Sequence, residues 1–539
     1  MFTPTARWRP GEEDIIASLL GLDFGTGGAK ACIINEGGEV RGYAFEEYPL
    51  IHDHPGWSEH DPDRYWEAGC RLIRKALQQS ESVGADVKAV AVSSALPSLV
   101  MIDADGRAVE RAYNLLDKRA IAEVQWLKQS VGDDRIFDVS GYRLDDHPVI
   151  VNLLWEKRHR SQSFGRVKTA LTIDGFITFK LTGQRTVHVS GAAFFGVAWN
   201  MRLRRFEESI LEQIGISPSL FPRVCNCDEI VGEITRQAAE ATGLLAGTPV
   251  AAGQVDCNAS WLGAGAIEEG DFQSNLGTVG NFGIVHRNPA YNFSPVGRLM
   301  INFPYTVDPE RTFVTVPTTL TGGLCLRYLR DNFDTCGDAS QARASSAYDR
   351  FNIEAERVPP GCDGLIVLPY LMGERTPIWD SQARGVVFGL SLQHARGHLV
   401  RAMMEAVAFA LYDSFRLIRE AGLRINYPMV LNEGGAVSRL WRRIIVDVFD
   451  VPIALAKRRE GAPYGDAILA GVAARILPEY AVARQWAEYV EPMEPDPQSH
   501  AVYMEYFELY RDLYRHLKED FQHLARLRGT AGPRCFPVS

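Results

Sequence analysis

The sequence predicts a mixed α/β fold built as two similar halves in tandem, with a cleft between them. Two observations carry most of that prediction: Asp23-Phe24-Gly25-Thr26 joins two apolar extended runs, and Asn275-Leu276-Gly277-Thr278 does the same near the middle of the chain. A third is that helical and strand-like patterns alternate after each copy. At 539 residues the chain exceeds what one hydrophobic core covers and fits two or three domains. Its 46% apolar and 23% charged residues are the proportions of an ordinary globular protein and are enough to fill such cores.

Taken in order, residues 17–23 and 29–35 read as strands around the first turn, 36–39 as a hairpin and 41–48 as a third strand. An antiparallel meander therefore opens the first half. A helix follows from about Asp61, with Trp66, Leu72, Ile73 and Leu77 on one face, and then an apolar strand over 89–93. The second half repeats the unit with strands over 271–275 and 281–286. Beyond it come a helix carrying Leu399, Ala402, Met403, Ala406 and Val407 at helical spacing, a strand over 428–432, and Gly434-Gly435. A helix from Ser438, a strand over 452–456 and a helix from Pro463 complete the series. From about Gln498, tyrosines 503, 506, 510 and 514 recur every three or four residues, the pattern of an amphipathic helix whose role is packing. The expected spans are 15–256, 257–480 and a helical tail over 481–539.

A net charge of −10 with scattered basic residues argues against a nucleic-acid or anionic-membrane surface, and any phosphate ligand is expected to arrive with a cation. No run approaches the roughly 20 apolar residues of a membrane helix, and residues 1–13 lack the apolar core of a secretion signal, so the expectation is a cytoplasmic protein. Nine cysteines, with Cys225 and Cys227 lacking a second pair, read as reduced and mostly buried thiols rather than a zinc site. His52, Asp53, His54 and His60, around Pro55-Gly56, read as a solvated loop.

A Gly-Thr turn between strands presents unhindered N–H groups and a hydroxyl, which suit phosphate oxygens. The segment from Gly21 to Lys30 is not a dinucleotide fingerprint, because its glycines lead into a strand rather than a helix, and no P-loop is present. Asp23 at the end of a strand, with Lys30 nearby, suits Mg²⁺, which takes few protein carboxylates; a plain tight turn fits the residues equally well. In Gly253-Gln254-Val255-Asp256 the acid is either a helix cap or a group facing the phosphates. Gly434-Gly435-Ala436 either gives a flat base room against the backbone or is a simple strand-to-helix turn.

Together these pieces resemble the FGGY carbohydrate kinases over roughly residues 18–514. The resemblance rests on Asp23 to Thr26 with Lys30, Pro55 to Pro62, Asp117-Lys118-Arg119, Leu181-Thr182-Gly183, Gly253 to Asp256 and Leu276 to Thr278. It extends through Gly322-Gly323, Gly385 to Glu405, Gly434 to Ala436 with Trp441 and Asp447, and Glu460 with Gly465 and Ala467. It implies two ribonuclease-H-like domains of the actin and sugar-kinase type that close over ATP, Mg²⁺ and a small sugar or polyol. By position it assigns Asp256 as general base, and Asp23 with Asp256 to the metal. Gly25, Thr26, Lys30, Gly277, Thr278, Gly322, Gly434, Gly435, Ala436 and Ser438 fall to the nucleotide. Ser94, Leu96, Pro97, Asp117, Arg119, Asp256 and Cys257 fall to the acceptor.

Pro55 to Pro62 and the overall layout are most similar to the xylulokinase branch, which implies a ketopentose such as D-xylulose. Three departures concern the acceptor side. Leu96-Pro97 stands where that branch has Met-His, Asn152 replaces a Lys before Leu-Leu-Trp, and His188 takes the place of an acid. Kinases of erythritol, ribulose or glycerol, an actin-like ATPase module without a sugar substrate, and an inactive relative are the alternatives. The expected partner is a small molecule, with no nucleic acid and no membrane; a homodimer is one assembly open to the chain.

Overall fold

The computed structural model describes residues 17–146, 148–333, 346–432 and 434–530. Strands β1 (Ser18–Phe24), β2 (Gly28–Asn35) and β3 (Val40–Glu47) form the expected antiparallel meander. Every residue of β1 is buried, as a central strand covered on both faces requires. Helix α1 (Pro62–Gln79) starts where Asp61 accepts a hydrogen bond from the Asp63 amide and Pro62 takes the first helical position. It buries Tyr65, Leu72, Ile73 and Leu77, while Trp66 is half-buried. Strand β4 (Val87–Ser94) then runs parallel to β1 and sets Ser93 opposite Asp23.

A largely helical segment follows, including α2 (Val149–His159) and α3 (Ile173–Thr182). The chain returns through β5 (Ile230–Glu233), β6 (Pro249–Ala251) and the two-residue β7 (Gln254–Val255), which pairs with the end of β4. The first sheet has the order β5-β6-β4-β1-β2-β3. Helix α4 (Asp256–Gly263) leads to the second half.

There, β8 (Phe272–Leu276) and β9 (Gly280–His286) flank the second turn, followed by β10 (Ile301–Pro304) and β11 (Phe313–Val316). Helix α5 (Arg396–Glu420), β12 (Met429–Asn432), α6 (Arg439–Phe449), β13 (Ile453–Ala456), α7 (Ala462–Ala473), β14 (Tyr489–Met493) and α8 (Pro497–Thr530) complete the chain. The order β10-β11-β9-β8-β12-β13-β14 repeats the first sheet. In both, an antiparallel hairpin is followed by two parallel additions and one antiparallel edge. The duplication legible in two short turns extends to the whole architecture.

Packing cuts across the chain-order spans in two places. Helix α7, late in the sequence, lies on the first sheet, and its Tyr464, Ala467 and Ile468 share one core with Leu19 and Cys32. The approach is close enough that a Cβ on Gly21 would lie 1.9 Å from the Pro463 carbonyl oxygen, and one on Gly465 1.9 Å from that of Ala259 in α4. The tail is no appendage: β14 closes the second sheet, and Tyr503, Phe507, Tyr510 and Tyr514 of α8 enter the second core beside Phe409. Tyrosine hydroxyls satisfy one another there, with Tyr510 2.7 Å from Tyr370.

Candidate active site

A cleft of about 570 Å³ takes residues from both halves. Asp23 and Lys30 line it and face each other across the β1–β2 ladder. The Lys30 Nζ lies 3.2 Å from Asp23 Oδ2, and the carboxylate raises the lysine to about 12. Ser93 donates to Asp23 Oδ1 at 3.3 Å. Asp256 lines the same cleft as the first residue of α4, and its Oδ1 accepts from the Cys257 amide at 2.7 Å. The cap itself is Val255, so Asp256 sits one position inside the helix, where the N-terminal dipole favours an ionised carboxylate.

Of the expected phosphate groups, Gly25 and Thr26 are half-exposed and Thr278 is exposed at the tips of their turns. The carbonyls of the second turn are already engaged. Gly277 accepts from Gly323 at 2.7 Å, and Thr278 accepts from Gly322 at 3.0 Å and Leu324 at 3.1 Å. Gly322 is therefore a brace beneath the turn rather than part of the wall: a Cβ there would lie 2.4 Å from the Val279 carbonyl carbon. Gly435 packs in the same way against Leu276. Gly434 has open space around it and, with Ala436, lines the cleft. Ser438 caps α6, accepting from the Trp441 amide at 3.2 Å and donating to Asn352 at 2.6 Å, so its hydroxyl is already engaged.

On the acceptor side Leu96, Asp256 and Cys257 reach the wall. The other expected residues do not, because each buried polar group has a protein partner. Ser94 is fully buried, donating to Asp174 Oδ1 at 2.5 Å and accepting from the Asp174 amide at 3.2 Å. Asp174 Oδ2 lies 3.0 Å from His188 Nε2; burial works to lower this histidine, but the carboxylate prevails and raises it to about 10. Pro97 is buried behind Leu96. Arg119 is held by Asp117 at 2.6 Å and Glu59 at 2.8 Å, with its guanidinium 3.7 Å from the centre of the Trp57 ring. Asp117 also accepts from the Ser58 amide at 2.7 Å. The remaining wall sets the apolar groups Leu96, Leu115, Phe194, Ile301 and Phe303 beside polar ones that include Ser260, Asn281, Thr318 and Arg375.

One reading from the sequence needs correction. His60 does not belong to a solvated loop; it is buried, 2.5 Å from the Tyr65 hydroxyl, with its ring edge-on to that of Tyr48 at 5.1 Å. Burial lowers it to about 4, so it braces the first turn as a neutral ring. Residues missed from the sequence include Tyr48, whose hydroxyl donates to the Gly25 carbonyl at 2.5 Å, and Asp466, the lone acid in the otherwise Ala-, Leu- and Gly-rich α7. That lone acid was the available signal. Cys225 and Cys227 are buried free thiols, as expected.

Among the described residues no group of three or more His, Cys, Asp and Glu could hold a metal ion, and no helix is long and apolar enough to cross a membrane. Two carboxylates in the cleft nonetheless fit Mg²⁺, which draws most of its ligands from water and phosphate oxygens. Twin sheets of one topology around a shared cleft define the class: a two-domain protein of the actin and ribonuclease-H-like type. The chain belongs to the FGGY family of carbohydrate kinases; the family's N-terminal domain matches residues 18–263 and its C-terminal domain residues 274–474. It is 27% identical to the xylulose kinase of Bacillus subtilis over 93% of this chain and 97% of that one. It is 25% identical to the gluconokinase of Bacillus licheniformis over 94% and 97%. The crystal structure of the xylulose kinase from Rhodospirillum rubrum superimposes with a TM-score of 0.83 at 27% identity, covering 94% of this chain and all of that one. The protein is a carbohydrate kinase, of a family that uses ATP as phosphate donor, generally with Mg²⁺.

Proposed function

We propose that the protein transfers the terminal phosphoryl group of ATP to a terminal hydroxyl of a small sugar or polyol in the cytoplasm, with a ketopentose such as D-xylulose the leading acceptor. The observation that carries this reading is the meeting of Asp23 and Asp256 in one cleft, the first beside a phosphate-type turn and the second at a helix N-terminus. Asp256 is the general base: it accepts the acceptor hydroxyl's proton as the new P–O bond forms, a task a carboxylate can perform because the alcohol becomes acidic only late in transfer. Lys30 and the amides of Gly25, Thr26, Gly277 and Thr278 hold phosphate oxygens, and Gly434 and Ala436 lie along the nucleotide. Asp23 and Asp256 would hold Mg²⁺, which would neutralise phosphate charge when bound. Closure of the two halves excludes water and limits idle ATP hydrolysis.

A second reading, a less hydroxylated or differently shaped polyol, is favoured by the apolar groups Leu96, Leu115, Phe194, Ile301 and Phe303 and by the engagement of Ser94, Asp117 and Arg119 within the protein. A site lacking hydroxyl partners loses its preference for the fully hydroxylated substrate. ADP release with Mg-ATP across ketopentoses, tetritols, pentitols, glycerol, gluconate and ketohexoses decides between them. D-xylulose turning over fastest supports the first reading, and another polyol doing so supports the second. An ATPase rate unmoved by every acceptor overturns the kinase assignment in favour of an actin-like module.

A further inference from the structure

Asp466 stands in α7 among alanines, isoleucine, leucine and glycines, and none of its surface reaches solvent. A buried carboxyl in such a helix needs polar partners, and it has two. Its Oδ2 lies 2.6 Å from the Ser93 hydroxyl, which is in turn 3.3 Å from Asp23 Oδ1. Its Oδ1 accepts from Gln254 Nε2 at 3.0 Å, and Gln254 Oε1 accepts from the Thr306 hydroxyl at 2.6 Å. Ser93 is the β4 residue opposite Asp23, and Gln254 lies in β7 two residues before Asp256. One side chain thus touches a residue that bonds Asp23 and a residue two positions before Asp256. It has little freedom to move, because the contacts at Gly21 and Gly465 press α7 against β1 and α4. The helix also starts beside Arg458, Arg459 and Glu460, which line the cleft, so that segment joins the cleft wall to Asp466.

We propose that Asp466 is a positioning residue that fixes Asp23, through Ser93, and Asp256, through Gln254, at a set separation. The inference rests on the roles given above to those two acids. Burial, reinforced by the charge of Asp23, raises Asp466 well above the carboxylate range, so an amide reproduces its neutral shape and both of its hydrogen bonds.

The test compares Asp466→Ala, Asp466→Asn, Ser93→Ala and Gln254→Leu by kcat, by KM, and by Mn²⁺ affinity in the presence of ADP measured by calorimetry. Ser93→Ala is expected to weaken Mn²⁺ about tenfold and lower kcat. Gln254→Leu is expected to lower kcat about tenfold while weakening Mn²⁺ clearly less than Ser93→Ala does, because Asp256 shares the ion with Asp23. Asp466→Ala combines both losses with KM within about twofold, and Asp466→Asn restores most of each. A purely structural role would lower the folded fraction without separating the two readouts. Wild-type kcat and Mn²⁺ affinity in Asp466→Ala, or an asparagine variant as impaired as the alanine, overturns the proposal. If Asp466→Ala does not fold, the split between Ser93→Ala and Gln254→Leu still decides it. Should wild-type protein phosphorylate no acceptor, the kinase reading fails, while the Mn²⁺–ADP measurement still tests the Asp23 arm.

Discussion

The two turns share a backbone plan and differ in chemistry. The first sets Asp23 against Lys30, a charged pair, and is braced from behind by Tyr48 and the neutral His60. The second sets Asn275 against Asn281, and amides from the segment leading into a helix brace its carbonyls. The first turn therefore brings a charged pair to the cleft, and the second brings neutral amides. The duplicated fold is asymmetric because only the first turn carries an acid, while Asp256, the proposed base, enters from α4, between the copies.

The largest expected effect concerns the base. Asp256→Asn should lower turnover about 10²- to 10⁴-fold with nucleotide affinity nearly unchanged, measured by coupled ADP release and nucleotide titration. Near wild-type turnover would remove Asp256 from that role.

Next comes acid stability, which sharpens the contrast between the braces. His60 titrates near 6.5 when unfolded and about 4 when folded, so it stays neutral in the native state while the unfolded chain takes up a proton. Stability is lost as pH falls through that window, by about 3 kcal/mol in full. His286 behaves alike, whereas the buried Glu374, raised to about 7, binds its proton in the native state and offsets part of the slope, so the reading is the difference: His60→Gln should take up one proton fewer than wild type on unfolding between pH 6.5 and 4. Urea unfolding at stepped pH measures the slope; an unchanged slope in the variant would contradict the neutral-brace role.

Exchanging the turn chemistry tests the asymmetry directly. Asp23→Asn should raise the Mg²⁺ concentration for half-maximal rate about tenfold or more, while Asn275→Asp, which sets a charge near the phosphates, should weaken ATP by about tenfold or less. Equal effects would mean the two turns are interchangeable.

The last test is steric. Gly21→Ala drives a methyl into the Pro463 carbonyl and should cost about 2 kcal/mol, whereas Gly27→Ala, with nothing within 4 Å, should change stability by less than about 0.5 kcal/mol. Chemical denaturation separates them.

The element order and both turns were legible because hydrophobic period and Gly-Thr chemistry are local: Asp61 capping α1 and Ser438 capping α6 could be read from neighbouring residues alone. Asp23 and Asp256 stood out for the same reason, each at the end of an apolar strand. The sequence alone thus determined a duplicated α/β fold with an acid at each of two strand ends, because strand period, turn and cap depend on residues a few positions apart. Tertiary structure alone decided that α7 crosses onto the first sheet, that Ser94, Asp117 and Arg119 turn inward, and that Asp466 lies within reach of Ser93 and Gln254. Ser93 and Asp466 lie 373 positions apart, and which partner satisfies a buried charge is set by packing, which no local pattern records.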